Sequence, residues 1–251
     1  MTLNIITHKN ILLKILKDIY TDTSLGPLLG FKGGTAAYLF YNLNRFSVDL
    51  DFDLLNDSKP SSATSSAKAT DVKKATAGRE QEVFKKVENI VKGYGTIKEK
   101  SNKRYTLLTI LSYSAEAQNI KIEINKRSFG SQYEIKNYLG ISMLVMKKED
   151  MLAHKLVAMT ERNKTANRDI YDVHFFLNNN WEINKKIVEE RTEMKFIDYL
   201  KKCIEFIENL PGSGILSGMG ELLDGKQKVW VKANLKKDIL FLLKVMLDNE
   251  K

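Results

Sequence analysis

The sequence runs to 251 residues with 43% apolar side chains, enough to bury a substantial core as one or two domains. Lysine and arginine outnumber aspartate and glutamate by 40 to 31, a formal charge of +9 that favours polyanionic partners such as nucleic acid. The one cysteine, Cys203, excludes an internal disulfide and fits a reducing, cytoplasmic compartment; with three scattered histidines it cannot assemble a common zinc site, and no stretch is long enough to cross a membrane.

In chain order, Lys9, Lys14 and Lys17 fall within an amphipathic helical pattern that lacks a signal-type apolar core. The apolar run Leu28-Leu29-Gly30-Phe31 then leads into Lys32-Gly33-Gly34-Thr35 and a helical segment, Ala36 to Tyr41. Glycines let a backbone approach a phosphate closely, and the first amides of a helix offer donors to an anion. Thr35, or the glycines themselves, can cap that helix.

Fourteen residues separate Gly34 from Asp49, where Val48-Asp49-Leu50-Asp51-Phe52-Asp53-Leu54 alternates apolar and acidic. Alternation of period two puts the apolar set on one face of a strand and the aspartates on the other. Asp49 and Asp51 are then roughly 6–7 Å apart at the backbone. Carboxylates that close repel one another, and a divalent cation relieves the repulsion. Magnesium takes one or two carboxylates together with substrate phosphates. Taken alone the acidic strand reads as a solvated face; joined to the glycine pair it reads as a nucleoside triphosphate site with bound magnesium, or manganese.

Residues 56–80 change character: Ser, Ala and Thr supply 13 of 25 positions and Val72 is the one sizeable aliphatic, a linker-like flexible insertion that cannot build a core. Periodicity resumes at Glu82. A charged hairpin follows at Lys98 to Arg104, then a strand over Tyr105 to Tyr113, then Asn119 to Asn125, which places Ile120, Ile122 and Ile124 on one face and Glu123 on the other. Glu123 is either a metal ligand or base for an incoming hydroxyl, or a carboxylate paired with a neighbouring lysine on a solvent face.

From Lys147 to Arg162 the pattern is one amphipathic helix with Met151, Leu152, Leu156 and Met159 in its apolar stripe. Lys155 and Arg162, seven apart, project from a similar side, where a cation can reach nucleotide phosphates; the alternative for Lys155 is a snorkelling stem. Arg168 to Phe176 is also helical, with Asp169 and Asp172 on one face and Arg168 within pairing distance of Asp172. These patterns predict an α+β protein. Its N-terminal lobe, residues 1–145, holds a mixed β-sheet flanked by helices; residues 146–251 form a mainly helical lobe that completes the nucleotide and acceptor cleft.

Phe31-Lys32-Gly33-Gly34-Thr35-Ala36, Arg45-Phe46-Ser47-Val48-Asp49-Leu50-Asp51-Phe52 and Arg168-Asp169-Ile170-Tyr171-Asp172-Val173 together resemble the AbiEii/AbiGii toxin branch of the polymerase-beta-like nucleotidyltransferase superfamily, over roughly residues 25–180. The resemblance implies a metal-dependent enzyme that moves a nucleoside monophosphate from a nucleoside triphosphate to the 3′ end of tRNA or another RNA. It implies a toxin of phage defence, with a separately encoded antitoxin that acts without stable binding. By that resemblance Asp49, Asp51 and Glu123 hold metal and catalyse, Lys155, Asp169 and Asp172 complete the catalytic set, and Lys32, Gly33, Gly34, Thr35, Ser47, Lys155 and Arg162 bind nucleotide. Two other classes share the first motif: a small-molecule nucleotidyltransferase of the antibiotic-modifying kind, against which the positive charge argues, and a non-catalytic GTP- or nucleic-acid-binding module, against which the intact carboxylates argue.

Overall fold

A computed structural model describes residues 3–55, 69–161 and 167–250. Among the described residues it contains eight α-helices and a seven-stranded mixed sheet, a combination that bears out the α+β expectation. The chain divides into two compact units. One comprises Met1–Phe40, Val48–Ser128 and Tyr133–Val145; the other comprises Tyr41–Ser47, Phe129–Gln132 and Met146–Lys251.

The first unit opens with α1 (Ile5–Thr21), whose first turn is capped by the Asn4 side chain accepting the Thr7 amide. Leu12, Ile15, Leu16 and Ile19 form its buried stripe. Strand β1 (Leu29–Lys32) runs directly into α2 (Gly33–Phe40), and the chain returns as β2 (Leu50–Leu54). Helix α3 (Ala69–Lys92) follows; it starts inside the segment 56–80, of which residues 56–68 lie outside the described residues. Then come β3 (Thr96–Asn102), β4 (Thr106–Ser112), β5 (Ile120–Asn125), β6 (Tyr133–Tyr138) and β7 (Ile141–Met146), giving the order β3-β4-β5-β2-β1-β7-β6.

Register explains how this sheet carries a site. β2 pairs antiparallel with β1 and parallel with β5, and β5 pairs antiparallel with β4. One row across the strands reads Leu107, Ile124, Phe52, Phe31 and Val145, all buried. The Phe31 and Phe52 rings lie 5.4 Å apart within it. The neighbouring row points to the other face and reads Leu108, Glu123, Asp51 and Lys32. A slip of one residue would exchange the two rows and bury the charges, so the apolar row fixes the position of the acidic one.

The second unit is helical: α4 (Lys148–Glu161), α5 (Asn167–Asn178), α6 (Lys185–Thr192), α7 (Phe196–Glu208) and α8 (Gly225–Asp248). Its core includes Leu152, Leu156, Ile170, Val173, Phe176, Val188, Leu200, Val231 and Ile239. Trp181 stacks on Phe176 with rings 4.0 Å apart. Asp224 and Gln227 form a reciprocal cap at the start of α8. Cys203 is buried among these helices, and burial pushes its thiol up to about 12.

Candidate active site

The turn between β1 and α2 is built around Gly33, which has φ +79°. A Cβ there would stand 2.4 Å from Oδ2 of Asp51, so the residue must be glycine on two counts: backbone conformation and contact with the carboxylate. Gly34 is buried directly behind it, and the first amides of α2 belong to this turn. Thr35, expected among the nucleotide-binding residues, follows in the same helix. Its side chain is buried and its hydroxyl donates to the Asp49 carbonyl, which ties α2 to the residue preceding β2.

Asp49 stands one residue before the ladder begins, and the groups around it are held from three sides. Thr35 takes its carbonyl, the Lys121 amide donates to its carboxylate at 3.3 Å, and His8 Nε2 lies 2.9 Å from the carbonyl of Val48. Because that carbonyl can only accept, Nε2 carries the proton and Nδ1 accepts from the Tyr113 hydroxyl at 2.9 Å. Burial pushes the His8 pKa down, which favours this neutral ring.

Across the ladder, Glu123 faces Asp51. Its carboxylate takes the Lys121 ammonium at 2.6 Å, with about a third of each side chain exposed. Burial alone would lower the Lys121 pKa; the hydrogen bond to Glu123 and the charges of Glu123, Asp51 and Asp49 outweigh it and leave the ammonium above the usual lysine value. Lys121 thus sets a cation beside this acidic row, two residues before Glu123 on β5. Sequence reasoning missed it, although its place two residues before Glu123 puts it on the same face.

Asp53 is different. It is 7% exposed and takes Lys32 at 2.5 Å, Asn125 at 2.7 Å and the Tyr133 hydroxyl at 2.5 Å. Burial works to raise its pKa, but Lys32 and the hydrogen bonds hold the carboxyl below the usual range. Lys32, expected among the nucleotide contacts, is engaged by Asp53 inside the sheet.

The remaining expected residues gather in the second unit. Arg45 holds Asp172 with two parallel bonds, Nε to Oδ1 and a terminal nitrogen to Oδ2, both 2.6 Å, and donates to the Phe46 carbonyl at 2.8 Å. Lys155 Nζ lies 2.7 Å from Asp169 and 2.8 Å from Asp172. Two cations and two anions balance, with Asp169, Asp172 and Arg45 all buried. Burial opposes ionisation of Asp172, and the charges of Arg45 and Lys155 overcome it, so its pKa is held down. Burial likewise opposes the charge on Lys155, and the two aspartates reverse that and raise it. Ser47 is buried in this unit, and Arg162 lies outside the described residues. Arg45 is the partner that sequence spacing could not supply, being 127 residues from Asp172.

The donor set of the first unit is all oxygen, the chemistry a hard divalent ion requires. Among the described residues no group of three or more His, Cys, Asp and Glu side chains is placed to hold a metal as they stand. Glu123 is turned to Lys121, and the carboxylates of Asp49 and Asp51 are oxygen donors of the kind magnesium takes alongside substrate phosphates.

A glycine turn pressed against an alternating carboxylate strand, on a mixed sheet of this order, is the arrangement of a nucleotidyltransferase. Two solved structures share the fold over nearly their whole length: a candidate nucleotidyltransferase from H. pylori (TM-score 0.59, 19% identity, 100% of this chain and 99% of that one) and JHP933 from Helicobacter pylori (TM-score 0.54, 21% identity, 99% and 98%). The family model for the AbiEii nucleotidyl transferase toxin of type IV toxin–antitoxin systems matches residues 14–218, and the chain belongs to that family. No curated protein matches it. The chain is therefore a nucleotidyltransferase of the toxin class, as the resemblance implied. No described helix is long and apolar enough to cross a membrane.

Proposed function

We propose that the protein transfers a nucleoside monophosphate from a nucleoside triphosphate to the 3′-terminal hydroxyl of an RNA, with tRNA as the acceptor, and that a separately encoded antitoxin opposes it. The observation that carries this reading is the contact between Gly33 and the Asp51 carboxylate, with Asp49 fixed beside it and Glu123 opposite. Amides at the start of α2 receive the phosphates against the glycine turn. Asp49 and Asp51 hold magnesium, which when bound neutralises phosphate charge and orients the reacting oxygens. The acceptor oxygen bonds to the α-phosphorus as the bond to the bridging oxygen breaks, pyrophosphate leaves, and Glu123 lies on the face where the hydroxyl proton is given up. The charge of +9 supports a polyanionic acceptor.

The test is incubation of purified protein with each labelled triphosphate, magnesium and total RNA, beside an Asp49→Ala, Asp51→Ala double variant. A discrete labelled RNA band that disappears in the variant supports both reaction and site. Transfer persisting in the variant refutes the site; labelling of a small molecule but not RNA refutes the acceptor.

A further inference from the structure

Lys121 places a fixed positive charge where the acidic row would otherwise be open to cations. Its ammonium is bonded to Glu123 at 2.6 Å, and its charge is felt by Asp51 and Asp49 as well. Its backbone amide donates to the Asp49 carboxylate at 3.3 Å, so main chain and ammonium of one residue meet neighbouring carboxylates. The position is enforced by the sheet: Lys121 lies opposite Ile110 on β4, and β5 lies parallel to β2 with Glu123 against Asp51. The ion pair is also reachable from solvent, since 35% of the lysine and 34% of the glutamate side chain are exposed. A divalent ion approaching alone must overcome an ammonium already engaged with Glu123, beside Asp51 in the sheet. An ion arriving with a triphosphate brings its own negative charge, which the ammonium can attract.

We infer that Lys121 is a built-in competitor for divalent cations, which keeps the affinity of the carboxylates for bare metal low and couples metal entry to the arrival of the triphosphate. This rests on the assignment of Asp49 and Asp51 as the metal-holding pair. Removing the charge while keeping the stem, in Lys121→Met, should tighten binding of Mn²⁺ by about tenfold or more, because a like charge this close disfavours the second cation by that order. Lys121→Arg retains the charge and should bind Mn²⁺ as the unaltered protein does.

The experiment titrates Mn²⁺ into the full chain without nucleotide, followed by paramagnetic resonance or calorimetry, for the parent protein, Lys121→Met, Lys121→Arg and a Lys121→Met, Asp51→Asn double variant. Tighter binding in Lys121→Met that disappears in the double variant, with Lys121→Arg unchanged, supports the inference. Equal affinity in the parent and Lys121→Met overturns it, and so does tightening that survives in the double variant. Failure of RNA labelling would count against the proposed reaction without altering these binding curves, so the two readings can fail separately.

Discussion

One added methyl group is enough to test the site at Gly33. Gly33→Ala meets a left-handed backbone, which disfavours any L side chain by about 1–2 kcal/mol, and a carboxylate oxygen 2.4 Å away that would have to move. The displaced group is Asp51 itself, so label transfer should fall at least about a hundredfold, the order seen when one oriented electrostatic partner is lost. The melting temperature should drop only by a few degrees. An alanine variant with full activity would show that the turn is not pressed on the carboxylate as described. His8 acts at the same scale through a backbone atom. Its Nε2 proton holds the Val48 carbonyl, a role that glutamine can reproduce with its amide and leucine cannot. His8→Gln should therefore retain most transfer activity and His8→Leu should lose it, measured as kcat at saturating magnesium; equal losses in both would remove the positioning role.

At the scale of elements, α4 and α5 are joined by buried charges. Arg45, Asp172, Lys155 and Asp169 are a linked set in which each charge is paired with another. Removing one member of a buried pair typically costs about 3–5 kcal/mol, because its partner is left uncompensated. Arg45→Met should destabilise by that order, read as a lower denaturant midpoint at unchanged slope, while a loss near zero would mean that the pair is solvated. The sequence showed the elements that alternate or repeat cleanly. β2, β4 and β5 follow from period two, α4 and α5 from their apolar stripes, and the glycine turn from its place between them. β6 and β7 were not legible as strands, since Tyr133-Glu134-Ile135-Lys136-Asn137-Tyr138 lies at the sheet edge and buries neither face cleanly. The charges were readable by type but not by partner: Asp172 has Arg168 four residues away, yet takes Arg45 from a distant loop. Glu123 was readable both as ligand and as lysine partner, and the structure shows the latter contact.

For the molecule as a whole, two histidines contribute to the loss of stability just below neutral pH. Burial lowers the pKa of both His8 and His174, with Asp49 and Asp238 opposing it respectively. The unfolded chain then binds these protons more readily than the native one. Stability contributed by the neutral rings is complete above the ordinary histidine value near 6.5 and is lost progressively as pH falls below it. Thermal unfolding followed from pH 7.5 down to 5.5 should show a falling midpoint, and His8→Gln should flatten part of that fall. An unchanged slope would assign the protons to other groups.

The path of the chain carries a further consequence. The helical unit takes Tyr41–Ser47 and Phe129–Gln132 from within the stretch that otherwise builds the sheet. Arg45, the clasp on Asp172, arrives with the first of these. A polypeptide of residues 146–251 alone would inherit the aspartate without its clasp, and circular dichroism should find it poorly folded. A chimera that joins a foreign helical half at a single crossover after residue 145 would meet the same obstacle.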